Sequence, residues 1–406
     1  MLSSKPLRKR LVLLALGVLL LLVGGAVVFV SCVRKDPERA FALAVPVPTE
    51  VGAFGGALYQ SLGVSLRAGH EVTRLDNGAI FEALEKDVRA AQSSVHVLLY
   101  IWEKGAASDR ISSALVERAR AGVACRIVVD DLGSPDFGKD VAPALTAAGC
   151  EVRIFRPQPA SGDALARNHR KIVVVDGRVG FVGGFGMRDD WLGDGVHGEG
   201  WRDTNLRFAG PAVAEAQQAF AENWQEAGGA LLPPTCFPAL LPEPAGSASV
   251  GFVGSTISPV LTRAERLHQL VMQAATKRLW ITNAYFVPSR ALLELIKRKA
   301  REGVDVRLLA PGKKSDSKTS FGAQHVEYGS LIEAGVHVWE YQPTMMHSKT
   351  LVIDDALAVV GSMNLDPLTL GKLEESAVVV QDPTFTADLA ASFEADCVHA
   401  RPVTKD

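Results

Sequence analysis

The chain has 406 residues, 48% of them apolar and 22% charged, and its 43 Lys and Arg against 45 Asp and Glu leave a net charge of −2. That balance excludes a disordered or collagen-like chain, and it removes the excess basicity that drives non-specific binding to nucleic acid. At about 150 residues per domain, there is room for two or three domains and a large core.

A basic cluster of Lys5, Arg8, Lys9 and Arg10 precedes Leu11 to Ser31, a run of 21 residues without a charge. At about 1.5 Å per residue such a helix crosses a hydrocarbon layer of about 30 Å. The run exceeds the apolar core of a cleavable signal peptide, about 7–15 residues, so an uncleaved signal anchor is expected. A lipoprotein signal stays open, because Phe29-Val30-Ser31-Cys32 loosely matches a lipobox. Arg34, Lys35 and Arg39 on the far side are diluted by Asp36 and Glu38. The positive-inside rule then puts the N-terminus in the cytoplasm and the body on the extracytoplasmic side. No Asn-x-Ser/Thr sequon occurs, which favours a bacterial exported domain. The five cysteines, Cys32, Cys125, Cys150, Cys236 and Cys397, show no zinc-type spacing. One or two disulfides and buried free thiols are both compatible with them.

Residues 1–41 therefore read as basic segment and anchor, and 42–75 as a connecting region with Pro46, Pro48 and several glycines. Within that region Val51, Phe54, Leu58 and Leu62 recur at helical spacing, for packing on the folded body. A helix through Phe81, Leu84, Val88 and Ala91 leads to a buried strand, Val95 to Ile101. Helix Ile111 to Arg120 leads through Gly122 to strand Cys125 to Val129, and helix Val141 to Ala147 leads through Gly149 to strand Glu151 to Phe155. Alternation of this kind implies α/β layers with parallel strands. A first domain over 76–235 ends at a proline-rich linker, 236–247, and a second covers 248–406.

The second domain repeats the first. Helix Ala264 to Ala275, strand Leu279 to Ile281, helix Leu292 to Arg301, strand Val306 to Leu309, helix Ser330 to Ala334 and strand Val336 to Glu340 follow in turn. Ala121-Gly122-Val123 matches Glu302-Gly303-Val304, and Ala148-Gly149-Cys150 matches Ala334-Gly335-Val336, so the chain is an internal duplication.

Each half also carries one motif: His169-Arg170-Lys171 with Asp176 and then Gly183-Gly184, and His347-Ser348-Lys349 with Asp354 and then Gly361-Ser362-Met363-Asn364. The histidines are 178 residues apart, as are the aspartates. The apolar residues after each motif predict a strand on which His and Lys, two apart, share one face.

These paired His-x-Lys-x4-Asp motifs resemble the phospholipase D superfamily. Arg167-Asn168, Trp201-Arg202-Asp203-Thr204, Gly210-Pro211-Ala212-Val213, Tyr285-Phe286-Val287-Pro288 and Leu365-Asp366-Pro367 make the likeness closest to bacterial cardiolipin synthases, over residues 76 to 400. The resemblance implies a fold of two α/β/α sandwich domains related by a pseudo-twofold axis. It also implies a membrane-anchored phosphatidyltransferase that makes cardiolipin from phosphatidylglycerol through a phosphohistidine. Two imidazoles suit that chemistry, since one attacks phosphorus while the other protonates the leaving alcohol and later deprotonates the incoming one. The resemblance gives His169 as the nucleophile and His347 as the acid and base, with Lys171 and Lys349 offsetting phosphate charge and Ser348 and Asn364 as further donors. Asp203, 34 positions beyond His169, and Glu375, 28 beyond His347, are the matching orienting acids, read here as one for each motif's own histidine. Asp176 and Asp354 complete the catalytic motif, but they end their strands beside turns, so their implied role is mostly structural.

No metal or cofactor is implied, and the expected partners are an anionic phospholipid and the membrane, with no nucleic acid. The same motifs serve a hydrolytic phospholipase D, or a nuclease of the superfamily, against which the membrane segment and acidic body count. Two departures from the synthases stand out: Gly186 sits where Asn364 has its counterpart, and Asn205 where a histidine is usual. His70, His96, His197, His268, His325, His337 and His399 have no matching partner and read as core or surface residues. Trp191, Trp201 and Trp224 suit either packing or a lipid entrance. Lys313, Lys314 and Lys318 form a short basic loop around Asp316, suited to solvent or to anionic headgroups.

Overall fold

Arg67–Asp76, which falls in the expected connecting region, is instead a strand at the middle of the molecule. The computed structural model describes residues 40–49, 52–158, 165–238, 244–258 and 260–405. The expected membrane segment, Leu11 to Ser31, lies outside them, and among the described residues no helix is long and apolar enough to cross a membrane.

Strands of the first half are β1 (Arg67–Asp76), β2 (Ser94–Leu99), β3 (Ala124–Asp130), β4 (Glu151–Phe155), β5 (Arg167–Asn168), β6 (Ile172–Val175), β7 (Val179–Gly183) and β8 (Thr204–Ala209). The second half contributes β9 (Ala248–Ser255), β10 (Arg278–Asn283), β11 (Asp305–Pro311), β12 (His337–Tyr341), β13 (Lys349–Ile353), β14 (Leu357–Gly361), β15 (Leu373–Gln381) and β16 (Ala400–Pro402). One sheet runs β16-β12-β11-β10-β13-β14-β15-β9-β1-β8-β7-β6-β2-β3-β4. Read outward from its centre, β9-β15-β14-β13-β10-β11-β12 repeats the order β1-β8-β7-β6-β2-β3-β4, so the duplication is a pseudo-twofold about the β9–β1 pair.

The expected parallel arrangement holds only for the outer trios. β2, β3 and β4 are parallel, as are β10, β11 and β12, while β6 and β13 run antiparallel to β2 and β10. From there inward the tight β6–β7 and β13–β14 hairpins keep the pairing antiparallel.

Burial on both sheet faces explains the continuous apolar runs. On β6, Val173 and Val175 join a core beneath helices Ala79–Ala90 and Ala106–Arg120, while Ile172 and Val174 face the other way. That opposite core is shared by the two halves under helices Val213–Glu226 and Pro383–Val398. A third core lies under Arg263–Ala274 and Arg290–Arg301. The helical stripe before β1 is helix Ala53–Leu62, whose Phe54, Leu58 and Leu62 are buried in this third core.

The repeated glycines end helices in one way. Gly122, Gly149, Gly303 and Gly335 have φ of 92°, 102°, 89° and 96°, a region that only glycine enters without strain. In each case the next residue's N–H reaches back over the last helical turn. Val123 N donates to Arg118 O at 3.0 Å in the first half, and Val304 N donates to Lys299 O at 3.1 Å in the second.

Candidate active site

Neither motif histidine lies within its strand, contrary to the spacing argument: β6 begins at Ile172, and β13 begins at Lys349. Each histidine is instead held by a short bridge to the opposite half. β5 pairs with β15, and His169 N donates to Glu374 O at 2.8 Å. Likewise Arg202 bridges Met346, and His347 N donates to Arg202 O at 2.7 Å.

The acids are therefore crossed relative to expectation. His169 Nδ1 lies 2.8 Å from Glu375 Oε1, and His347 Nδ1 lies 2.9 Å from Asp203 Oδ2. Asp203 serves the second motif's histidine and Glu375 the first's: β8 and β15 lie on either side of the central pair, with Asp203 immediately before β8 and Glu375 third in β15. With a carboxyl on each Nδ1, each Nε2 is left for chemistry.

Lys171 Nζ donates to His169 O at 2.8 Å, and Lys349 Nζ donates to His347 O. Lys349 also acts electrostatically on His169, and Lys171 on His347, so one cluster draws on both halves. Burial, reinforced by the lysines, pushes His169 well below the usual imidazole range and His347 down to about 4. Asp203 opposes that fall at His347. Burial also lowers Lys171, and lowers Lys349 to about 8.

The two acids differ. Burial alone would raise Asp203, but His347, Lys349 and the 2.7 Å bond from Trp191 Nε1 hold it below the ordinary range. Burial carries Glu375 up to about 8 despite Lys171, and its Oε2 lies on Ser362 Oγ. His347 thus faces a charged partner, and His169 a largely neutral one.

Ser348 Oγ donates to Thr204 Oγ1 at 3.4 Å. Asn364 is buried, with Nδ2 only 3.5 Å from Thr369 Oγ1 and Oδ1 lacking any partner among the described residues. An amide so loosely held is free to turn its donor toward a phosphate oxygen.

Asp176 and Asp354 are not brought to this cluster. Asp176 accepts from the backbone of Gln92, Ser93 and Ser94, at the start of β2, and Asp354 from Thr276, Lys277 and Arg278, at the start of β10. Both have positive φ, 52° and 48°, and both pin the turn at the far end of the motif strand.

Aromatic rings that the spacing argument left without a role wall the cluster. Tyr100 lies 5.1 Å from the His169 ring and under Lys171, and Tyr285 lies 6.3 Å from the His347 ring and under Lys349. Each directly follows, or nearly follows, the strand beside a motif strand; for Tyr100 that shared position was the only signal, whereas Tyr285 also opens the Tyr285-Phe286-Val287-Pro288 stretch that carries the resemblance. Trp191 and half-buried Trp201 lie 5.3 and 5.1 Å from His347, whereas Trp224 is core. Both departures have local reasons. A side chain at Gly186 would meet Ile101 and Trp191 at 3.0 Å, and Asn205 Oδ1 accepts from Gly184 N and Phe185 N.

His70, His96 and His268 are buried elsewhere, and the four described cysteines are free thiols. Among the described residues no group of three or more His, Cys, Asp or Glu is arranged to hold a metal ion.

Residues 84–224 and 269–397 both match the family described as cardiolipin synthase, PLD-like domain. Cardiolipin synthase A of Pseudomonas fluorescens is 32% identical over 343 residues, which is 84% of this chain and 71% of that protein. Cardiolipin synthase of Geobacillus thermodenitrificans is 34% identical over 330 residues, 80% of this chain and 64% of that one. Among solved structures, phosphatidylserine synthase of Haemophilus influenzae shares the fold with a TM-score of 0.64 at 14% identity, over 86% of this chain and 92% of that chain.

Proposed function

The chain belongs to the phospholipase D-like family of the cardiolipin synthases and is a phosphatidyltransferase, and on that premise we propose that it makes cardiolipin from two phosphatidylglycerol molecules at the His169–His347 cluster. The crossed dyads carry this reading: two imidazoles from different halves, each with Nδ1 engaged by a carboxyl, share one pair of lysines.

In the first step His169 Nε2 attacks the donor phosphorus, the bond from phosphorus to the headgroup glycerol oxygen breaks, and His347 gives that oxygen a proton. The second step has the headgroup hydroxyl of another phosphatidylglycerol lose its proton to His347. Its oxygen forms the new phosphorus bond as the bond to nitrogen breaks, releasing cardiolipin. Lys171 and Lys349 offset the charge that gathers on the non-bridging oxygens, with Asn364 and Ser348 as further donors. The assignment of roles follows the family resemblance, with His169 the nucleophile and His347 the acid and base; Asp203, held charged, opposes the burial that lowers His347 and so supports its carrying the proton during the reaction.

We also read the chain as held to the bacterial cell membrane by Leu11 to Ser31, with its body outside the cytoplasm. Protease added to intact spheroplasts then digests the body, and full protection reverses this topology. The activity is tested by incubating detergent-solubilised protein with labelled phosphatidylglycerol and identifying products by mass spectrometry. Cardiolipin and glycerol are expected; phosphatidic acid as the main product would make the protein a hydrolase.

A further inference from the structure

The two halves match in strand order, and both motif clusters place a histidine, a lysine and an acid alike, yet the loops that follow equivalent strands carry opposite charge. From the last residue of β3 the chain reads Asp130-Asp131-Leu132-Gly133-Ser134-Pro135-Asp136, and after β11 it reads Gly312-Lys313-Lys314-Ser315-Asp316-Ser317-Lys318. The acidic loop is largely spent on structure. Asp130 is buried against Arg167, and Asp131 accepts from Gln158 N at 2.7 Å. The basic loop is not: Lys313, Lys314 and Lys318 are exposed, and none of their side chains makes a hydrogen bond or ion pair with a described residue.

This loop is tied to the reacting cluster through one side chain. Tyr285 Oη donates to the Asp316 carboxylate, 2.9 and 3.0 Å from its oxygens, while the Tyr285 ring lies against Lys349 and His347. Asp316 is thereby engaged with Tyr285, and the loop that carries the three exposed lysines is anchored on the His347 side of the cluster.

Chemistry gives that side a particular visitor. In the reaction proposed above, the leaving glycerol and the incoming hydroxyl both occupy the space served by His347. The leaving glycerol is neutral. The incoming hydroxyl belongs to a lipid whose own phosphodiester trails one glycerol unit behind it, carrying a negative charge that the two catalytic lysines, already facing the donor phosphate, do not neutralise.

We propose that Lys313, Lys314 and Lys318 form a binding site for the phosphodiester of the acceptor phospholipid, and so select a lipid hydroxyl over water or a small alcohol. This rests on His169 being the nucleophile and on transfer being the reaction. The acidic counterpart loop, beside the nucleophile's half, has no such task.

The test uses the full-length protein in neutral detergent micelles, where no anionic surface attracts lysines. Labelled phosphatidylglycerol and ethanol are supplied together, and cardiolipin is measured against phosphatidylethanol. The triple variant Lys313→Gln, Lys314→Gln, Lys318→Gln is expected to lower that product ratio about tenfold or more, the scale of losing charge-assisted hydrogen bonds. It should also raise the apparent KM for phosphatidylglycerol as acceptor. Substitution of the three lysines by arginine should keep the ratio near that of the parent protein. An unchanged ratio in the glutamine variant, with the acid-quenched label still on His169, overturns the acceptor site alone. Label on His347 instead overturns the reading beneath it and the proposal with it, because the incoming hydroxyl would then enter beside the acidic loop. If the parent protein yields phosphatidic acid and no cardiolipin, the transfer reading has failed, whatever the lysines do.

Discussion

Asp203 and His347, 144 residues apart in sequence, meet at 2.9 Å across the boundary between the two halves. His169 and Glu375, 206 apart, meet reciprocally at 2.8 Å. Each half therefore completes the other's histidine, and neither half holds a finished dyad.

The crossing makes a directional prediction. Asp203→Asn should impair proton transfer at His347, lowering the rate with phosphatidylglycerol by about 10²–10⁴-fold. With a nitrophenyl phosphodiester the first step needs no proton, so the adduct should form at near-parental rate and then persist, since its release needs His347 as base. Acid-quenched peptide mapping should find the phosphate on His169. If Asp203→Asn instead blocks adduct formation with that donor, Asp203 is acting on His169 and the crossed assignment fails in solution.

Asp354 offers a contrast within the same motif. Its carboxylate accepts from three successive backbone N–H groups and from Thr276 Oγ1, all at the far end of β13. Asp354→Asn keeps the shape and tolerates the positive φ but loses charge-assisted bonds, at a cost of about 1–3 kcal/mol. Chemical denaturation should register that loss while kcat per folded molecule stays at the parental value. A fall in kcat without a fall in stability would return Asp354 to the reacting cluster.

Gly186 tests whether the departure from the family pattern is enforced by packing. An asparagine there, the counterpart of Asn364, would put Cβ at 3.0 Å from both Ile101 and Trp191. Gly186→Asn should therefore destabilise by about 1–3 kcal/mol, as overpacking does, and should not raise activity. It would also disturb Trp191, whose indole N–H holds Asp203. A stable, faster variant would show that the first half merely lacks a donor.

Much of this was legible from the chain because the duplication writes each element twice. The glycines that end helices, the apolar strands and the two motifs are all set by local geometry, and local geometry repeats at fixed offsets. The crossing of the acids was not legible. Sequence distance favours the acid on the same side of the linker, and only the antiparallel centre, where β1 and β9 adjoin, carries Glu375 to His169 and Asp203 to His347. β1 itself was hidden because Arg67, His70, Glu71 and Arg74 interrupt its apolar pattern; Arg67 and Arg74 serve ion pairs, and His70 accepts from Ala212 N. Tyr100 carried no motif of its own and Tyr285 was noted only within a matching stretch; the place of both beside the histidines follows from where the neighbouring strand stops.

The pH dependence should separate the last two titrating groups. Lys349, lowered by burial to about 8, must keep its proton to offset phosphate charge, so its titration should add a fall of about tenfold per unit above that pH. Glu375, raised by burial, also loses its proton near 8, and the carboxylate it becomes adds negative charge beside the incoming phosphate. Both losses lower the rate in one window, and the sign alone cannot assign them. Glu375→Gln cannot titrate, so an alkaline limb that survives in this variant belongs to the paired lysines, Lys349 or the likewise lowered Lys171. Lys349→Arg stays charged throughout, and although its rate should be low, because a guanidinium does not reproduce an ammonium's geometry, its profile should flatten. The measurement is kcat/KM from about pH 6 to about 10, a range set by the ordinary lysine and carboxyl values. A limb that disappears in Glu375→Gln and remains in Lys349→Arg would make Glu375 the controlling group and Lys349 a spectator in this range.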